Sequence, residues 1–267
     1  LTLAIDLFCG LGGWTDGLLA EGYDVIGFDN ERHVYGEHRY PGKLVIQDVL
    51  TLHGRQFKDA SLIVASPPCT EYSYMAMPWT RAKQIAAALR GEGEFPDGYT
   101  GSRTVNELSA LFDACFRIQR EAIEAAGHHI PLVVENVRGA IPWVGRSRWN
   151  FGSFHLWGDV PALMPMVRKL QSVEGVKRGG FSWSDYGKEG YKPVAFNGAV
   201  GRKNTGGSWF NVAHNTTSGK GRNPDGRNDP RDGIKNAGSK SSKRKAASAM
   251  IAKIPLDLAR HIGRAWL

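Results

Sequence analysis

The chain has 267 residues, 42% of them hydrophobic, with no apolar run of membrane-span length and no cleavable leader before the first strand-like segment; the expectation is a soluble, cytoplasmic protein with one sizeable core and a smaller appendage. Three cysteines, Cys9, Cys69 and Cys115, are too widely spaced for a zinc cluster and too few and odd for a disulfide scaffold, which leaves room for one reactive thiol. The net charge is +8, and a surplus of six positive charges falls between Asn215 and Lys245, a Gly-, Asn- and Ser-rich stretch that reads either as a solvated loop or as a segment that neutralises phosphates.

Strand and helix signals alternate through the first half. Leu1–Phe8 reads as a strand, Trp14–Ala20 as a helix start, Tyr23–Phe28 as a second strand, Glu31–Tyr40 as a helix and Lys43–Ile46 as a third strand. Ser61–Ala65 is a fourth strand, Asn106–Ala126 a helix with apolar residues at helical spacing, and Pro131–Val134 a fifth strand. This order predicts an α/β fold, a doubly wound, mostly parallel sheet with helices on both faces. Past Trp149 the pattern weakens. Phe151–Trp157 could form a strand, and Pro161–Lys245 reads as a small, irregular, largely non-helical domain. Ala246–Leu267 returns to helical spacing, interrupted by Pro255, and is expected to pack back on the sheet. The expected domains are residues 1–150, 151–245 and 246–267.

In such sheets ligands bind beyond the carboxyl ends of the strands. The first strand ends in Phe8-Cys9-Gly10-Leu11-Gly12-Gly13, a glycine-rich turn that lets the backbone approach a ligand. Asp29, at the end of the second strand, suits a ribose diol, with Glu31 as the competing acid. Asp48, after the third strand, could accept a hydrogen bond from an adenine amino group. Together they predict a nucleoside site.

Asp6–Gly13, Ser66-Pro67-Pro68-Cys69-Thr70-Glu71-Tyr72-Ser73 and Glu135-Asn136-Val137 resemble, in order and in strand-end position, three signature motifs of the cytosine carbon-5 DNA methyltransferases, most of all the short phage-encoded members. The resemblance covers Leu1 to about Trp149 and, more weakly, the last 20 or so residues. It implies a Rossmann-like fold that binds S-adenosylmethionine (SAM), with a target-recognition domain at 151–245, acting as a monomer on double-stranded DNA in a prokaryotic or phage-infected cell. Phe8, Gly10, Gly12, Gly13, Asp29, Asp48 and Pro68 would line the donor site. Cys69 would add to carbon 6 of cytosine, which turns an electron-poor ring into an enamine able to take a methyl group at carbon 5. Glu135, held protonated at an apolar strand end, would donate to ring nitrogen 3. Asn136 would be structural or contact the substrate backbone. Arg148, within Arg146-Ser147-Arg148, would hold the base's carbonyl oxygen, or else clamp a phosphate. The base must be flipped out of the duplex. A mobile segment at Tyr74–Thr104, with Trp79, Arg81, Lys83 and several glycines, would close over the DNA. Ser73, Arg81, Lys83, Arg146, Lys240, Lys243 and Arg244 are the expected nucleic-acid contacts.

The match departs from the family in places. Thr70 stands where glutamine is usual, and Tyr72 where phenylalanine is. The family's Gly-Asn-x-Val-Pro before the last helix reads Ile251-Ala252-Lys253-Ile254-Pro255 here, so Ala252 replaces an asparagine of the donor site and Lys253 stands beside it. That lysine either points to solvent or a phosphate, or would favour a carboxylated SAM and carboxymethyl transfer. Other readings are a carbon-5 methyltransferase for transfer RNA and a DNA-binding homologue with a decayed site. An amino-methyltransferase would use an aromatic residue after Ser-Pro-Pro to stack the base, and Cys69 cannot do so.

Overall fold

A computed structural model describes residues 2–69, 72, 79–95, 105–164, 245–246, 249–250 and 252–267, the side chains of 82, 89 and 105–108 excepted. The chain divides into two units, residues 1–167 with 253–267 and residues 168–252; the second lies almost wholly outside the described residues.

Unit one is built on a seven-stranded sheet. β1 (Leu3–Leu7) is followed by α1 (Gly13–Ala20), β2 (Asp24–Asp29), the short strands β3 (Val34–Tyr35) and β4 (His38–Arg39), and β5 (Lys43–Ile46). β6 (Leu62–Ala65), α2 (Trp79–Leu89), α3 (Val105–Ala126), β7 (Leu132–Asn136), α4 (Ile141–Val144), β8 (Trp149–Phe151), β9 (Phe154–Gly158) and α5 (Leu256–Ala265) complete it. The order across the sheet is β5-β2-β1-β6-β7-β9-β8. The first five strands pair in parallel, and β9 runs antiparallel to β7 and to β8.

The central strands are apolar because both faces are covered. Leu62–Ala65 is buried at every residue. Ala4, Leu62, Val64 and Val133 join Trp14, Leu18, Ile254, Leu258 and Ile262 on the side of α1 and α5. Ile5, Leu7, Ile63 and Leu132 join Phe112, Cys115, Ile118 and Ala122 of α3 on the other. α5 is fastened to α1 closely. Gly17 leaves no room for a side chain beside Ala259, Glu21 takes Arg260 at 2.5 Å and Arg264 at 2.9 Å, and the Tyr23 hydroxyl donates to the Gly263 carbonyl at 2.9 Å. α3 is tied to the loop after β5: Arg117 donates to the Leu52 carbonyl and Glu121 accepts from the Gly54 amide.

Two expected elements change. Glu31–Tyr40 is not a helix: Val34 and Tyr35 pair antiparallel with His38 and Arg39. The β-branched and aromatic residues favour extension, and Gly36 at φ 63° opens a two-residue hairpin turn. The strand expected at Phe151–Trp157 is two strands, β8 and β9, folded at Gly152 with φ 62°. Because β9 pairs with β7, the sheet runs to residue 158, past the boundary expected at 150. Within Tyr74–Thr104, α2 is helical, and Gly91 at φ 76° follows its end; residues 74–78 and 96–104 lie outside the described residues.

Candidate active site

β1 neighbours β2 on one side and β6 on the other, and the chain works outward from β1 in both directions. The carboxyl ends of β1 and β6 therefore flank the crevice where such sheets take ligands. The turn after β1 is tightly wound. Phe8 has φ 56°, a left-handed conformation that costs a non-glycine residue energy, and Gly10 and Gly12 have φ 51° and 74°. The Cys9 amide donates to the Phe28 carbonyl at 3.1 Å and the Gly12 amide to the Cys9 carbonyl at 2.7 Å. The three glycines differ in use. A side chain at Gly12 would strike Pro41, and one at Gly13 would strike the Ile254 backbone, so these two serve packing. Gly10 faces open space and is the glycine a ligand can approach.

Asp29 meets this turn. Its Oδ2 accepts the Gly10 amide at 2.9 Å. Burial opposes its charge, but His33 and the Gly10 amide outweigh burial and hold the carboxyl below its usual range. Glu31, the rival acid, is exposed and faces His33 at 3.4 Å. Asp48 is exposed and accepts the Leu50 amide at 2.9 Å, capping a single 3-10 turn. Beneath the turn, buried Asp6 accepts the Thr15 hydroxyl at 2.6 Å, and Thr15 meets the Tyr40 hydroxyl at 2.7 Å. Burial, reinforced by the charge of Asp29 and opposed by Thr15, pushes Asp6 up to about 7.

The loop after β6 carries Cys69. Buried Asn136, at the end of β7, donates to the Pro67 carbonyl at 3.0 Å and so clamps the loop to the neighbouring strand. Of the two roles expected for Asn136, this is the structural one. The Tyr72 amide closes onto the Cys69 carbonyl at 3.0 Å. Cys69 is half-buried, whereas Cys9 and Cys115 are buried. Burial, and then the charge of Glu135, push the Cys69 thiol up to about 11. Glu135 is itself buried, and burial pushes it up to about 8 against the opposing pull of the nearby Ser66 hydroxyl. The family chemistry calls for an accessible thiolate; the free protein holds a thiol beside a carboxylic acid. Pro68 is exposed on the same loop.

Arg146 and Arg148 are exposed and have no polar partner among the described residues. The Arg148 amide donates to the Leu156 carbonyl at 2.8 Å, and Leu156 is the register partner of Glu135. Two strand spacings, about 10 Å, therefore separate the backbone near Arg148 from Glu135, a gap a flat base and a long side chain can fill. Between the arginines, Ser147 meets His155 Nδ1 at 2.9 Å. Arg81 and Lys83 lie on α2, and both are partnered. Ser73, Lys240, Lys243 and Arg244, with almost all of the basic stretch, lie outside the described residues. Lys253 is paired with Asp16 at 2.6 Å, so its charge is already met. Sequence reasoning missed Ser66, whose Oγ accepts Trp14 Nε1 at 3.0 Å. A tryptophan in the first turn of α1 was the available signal, since a buried indole N–H needs an acceptor.

The mostly parallel seven-stranded sheet, with helices on both faces and a glycine turn and a cysteine loop at its carboxyl edge, is the α/β fold expected from the sequence. Residues 3–81 match the family described as C-5 cytosine-specific DNA methylase, a segment that holds the first two of the three motifs and not Glu135-Asn136-Val137. A solved structure described as a DNA modification methyltransferase encoded within an E. coli prophage is 20% identical, with a TM-score of 0.33. The likeness covers 53% of this chain and 33% of that one, so this chain spans about a third of that protein's length. No curated protein matches.

Proposed function

We propose that this protein methylates carbon 5 of cytosine in double-stranded DNA, with Cys69 as covalent nucleophile and SAM as donor. The observation that carries the reading is a half-buried Cys69 at the carboxyl edge of the sheet beside a buried Glu135, whose carboxyl burial pushes up to about 8. The donor-side residues fit a nucleoside: Gly10 offers open backbone, and Asp29 stays ionised to accept ribose hydroxyls. Phe8, Asp48 and Pro68 complete that wall, with Gly12 and Gly13 shaping the turn. SAM supplies an electrophilic methyl group.

The chain's own residues do the rest. As Cys69 Sγ bonds to carbon 6 of a flipped-out cytosine, its proton passes to solvent, and Glu135 gives its proton to nitrogen 3. Arg148 holds the base's carbonyl oxygen, and Arg146 a phosphate. Once carbon 5 carries the methyl group, its proton leaves to solvent, the S–C6 bond breaks, and Glu135 recovers its proton. Arg81, Lys83, Ser73 and the basic stretch with Lys240, Lys243 and Arg244 contact the nucleic acid. The enzyme acts as a monomer in the cytoplasm.

Incubation with tritiated SAM and either DNA or RNA, followed by nucleoside analysis, should give 5-methylcytosine from DNA. DNA bearing 5-fluorocytosine should trap a denaturation-resistant adduct, because fluorine at carbon 5 blocks elimination. Cys69→Ser should lose both product and adduct while still binding DNA. A Cys69→Ala protein that methylates at a near-normal rate would show that an exocyclic amino group is the target instead.

A further inference from the structure

Asp29, at the end of β2, is held from two sides. Its Oδ2 accepts the Gly10 amide at 2.9 Å, which sets the carboxylate beside the open space that Gly10 leaves. Its Oδ1 accepts the Glu31 amide at a long 3.4 Å and lies 3.4 Å from His33 Nε2. His33 is half-buried and stands at the entry to the β3–β4 hairpin. On the other side of its ring, Nδ1 is 3.4 Å from the Tyr35 hydroxyl and 3.4 Å from Glu31 Oε1.

These neighbours decide which nitrogen carries hydrogen. A neutral ring accepts the Tyr35 hydroxyl on Nδ1 and keeps its own hydrogen on Nε2; a charged ring has hydrogen on both and offers Nδ1 to Glu31. The remaining tautomer would aim a nitrogen lone pair at an ionised carboxylate. In each favourable state, then, an N–H faces Asp29. At 3.4 Å that contact is longer than a good hydrogen bond, and wide enough for one oxygen to sit across both groups at about 2.8 Å from each. A hydroxyl suits that place, because it donates one hydrogen bond and accepts another. We propose that His33 is a further donor-binding residue, which with Asp29 reads a ribose hydroxyl of SAM: the hydroxyl donates to Asp29 Oδ1 and accepts from His33 Nε2. The proposal rests on the donor-site reading given above. A carboxylate alone takes any donor, an amine or an amide included; a carboxylate beside an N–H selects a group that does both. DNA, the other substrate of the proposed reaction, offers no free sugar hydroxyl along its chain, so the pair also keeps the two substrates apart.

The test is calorimetric titration of the whole chain with S-adenosylhomocysteine, which is SAM without its transferred methyl group, and with the analogue that lacks both ribose hydroxyls. The parent should bind the analogue about 10- to 100-fold more weakly. His33→Phe keeps a flat ring and His33→Ala removes it; neither offers an N–H. Both should bind S-adenosylhomocysteine about 5- to 10-fold more weakly than the parent and the analogue within about twofold of it, so that discrimination for the hydroxyls shrinks. His33→Gln, whose side-chain amide donates, should recover most of it. Histidine variants that bind S-adenosylhomocysteine like the parent overturn the proposal, as do variants that lose both ligands equally, the result a merely structural role gives. Asp29→Asn separates the two levels. If it discriminates as the parent does, or if the parent binds neither ligand, the donor-site reading has failed and the proposal with it. If Asp29→Asn loses discrimination while the His33 variants keep it, only the role of His33 has failed.

Discussion

Burial, and then the charge of Glu135, push the Cys69 thiol up to about 11, well above neutral pH. In the proposed reaction the sulfur therefore loses its proton only as it meets the base, and the resting thiol reacts slowly with stray electrophiles. Alkylation by iodoacetamide should be slow near neutrality and rise steeply toward pH 11, with Cys9 and Cys115 silent because they are buried. Glu135→Gln should move that rise to lower pH, since it removes a negative charge that opposes the thiolate. Peptide mapping after timed labelling reads both effects, and an unmoved profile would show that burial alone sets the thiol. At this scale the sequence pointed to Cys69, Glu135 and Asp29, whose side-chain chemistry is distinctive at strand ends. It could not reveal the Trp14–Ser66 bond, which spans 52 residues and exists only once α1 and β6 lie side by side.

Strands buried on both faces write themselves as apolar runs, which is why Leu62–Ala65 and Leu132–Asn136 were legible almost to their ends. The segment Glu31–Tyr40 was not. It is polar, and its hairpin rests on one glycine turn and on Asp29–His33 contacts that no periodicity signals. β8 and β9 merged into one expected strand for a similar reason: Gly152 was the lone sign of the reversal. The packing of α5 on α1 allows a sharp check. In an open helix, Gly→Ala gains about 0.5–1 kcal/mol. At Gly17 the new methyl would run into Ala259 and the Arg260 backbone nitrogen, and overpacking of this kind costs about 1–3 kcal/mol. Gly17→Ala should thus be net destabilising, with a lower melting temperature by differential scanning calorimetry. A more stable variant would show that α5 yields freely.

Across the whole molecule, two buried acids bias stability toward acid pH. Asp6 and Glu135 are pushed up to about 7 and about 8, well above their unfolded values. Between about pH 4 and these values the folded state binds more protons than the unfolded chain, so stability falls as pH rises through that window. Glu21, pulled down to about 2 by Arg264 and Arg260, acts oppositely: its contribution is present above about pH 4.5 and is lost as pH falls toward 2. The urea midpoint should therefore peak on the acid side of neutrality and decline toward pH 8. Asp6→Asn should flatten the decline, and a slope unchanged in that variant would exonerate Asp6.

The bond from Tyr23 to Gly263 closes across 240 residues. On a ribosome adding about 5–20 residues per second, α1 is made roughly 10–50 s before α5 exists. Until then the face formed by Trp14 and Leu18 lacks the Leu258 and Ile262 that cover it. Each nascent chain thus passes its youth with that face of α1 uncovered, a window for proteases and holdase chaperones. Gly13, at the head of α1, packs on the late-arriving Ile254, so in a half-made chain the glycine turn lacks that support.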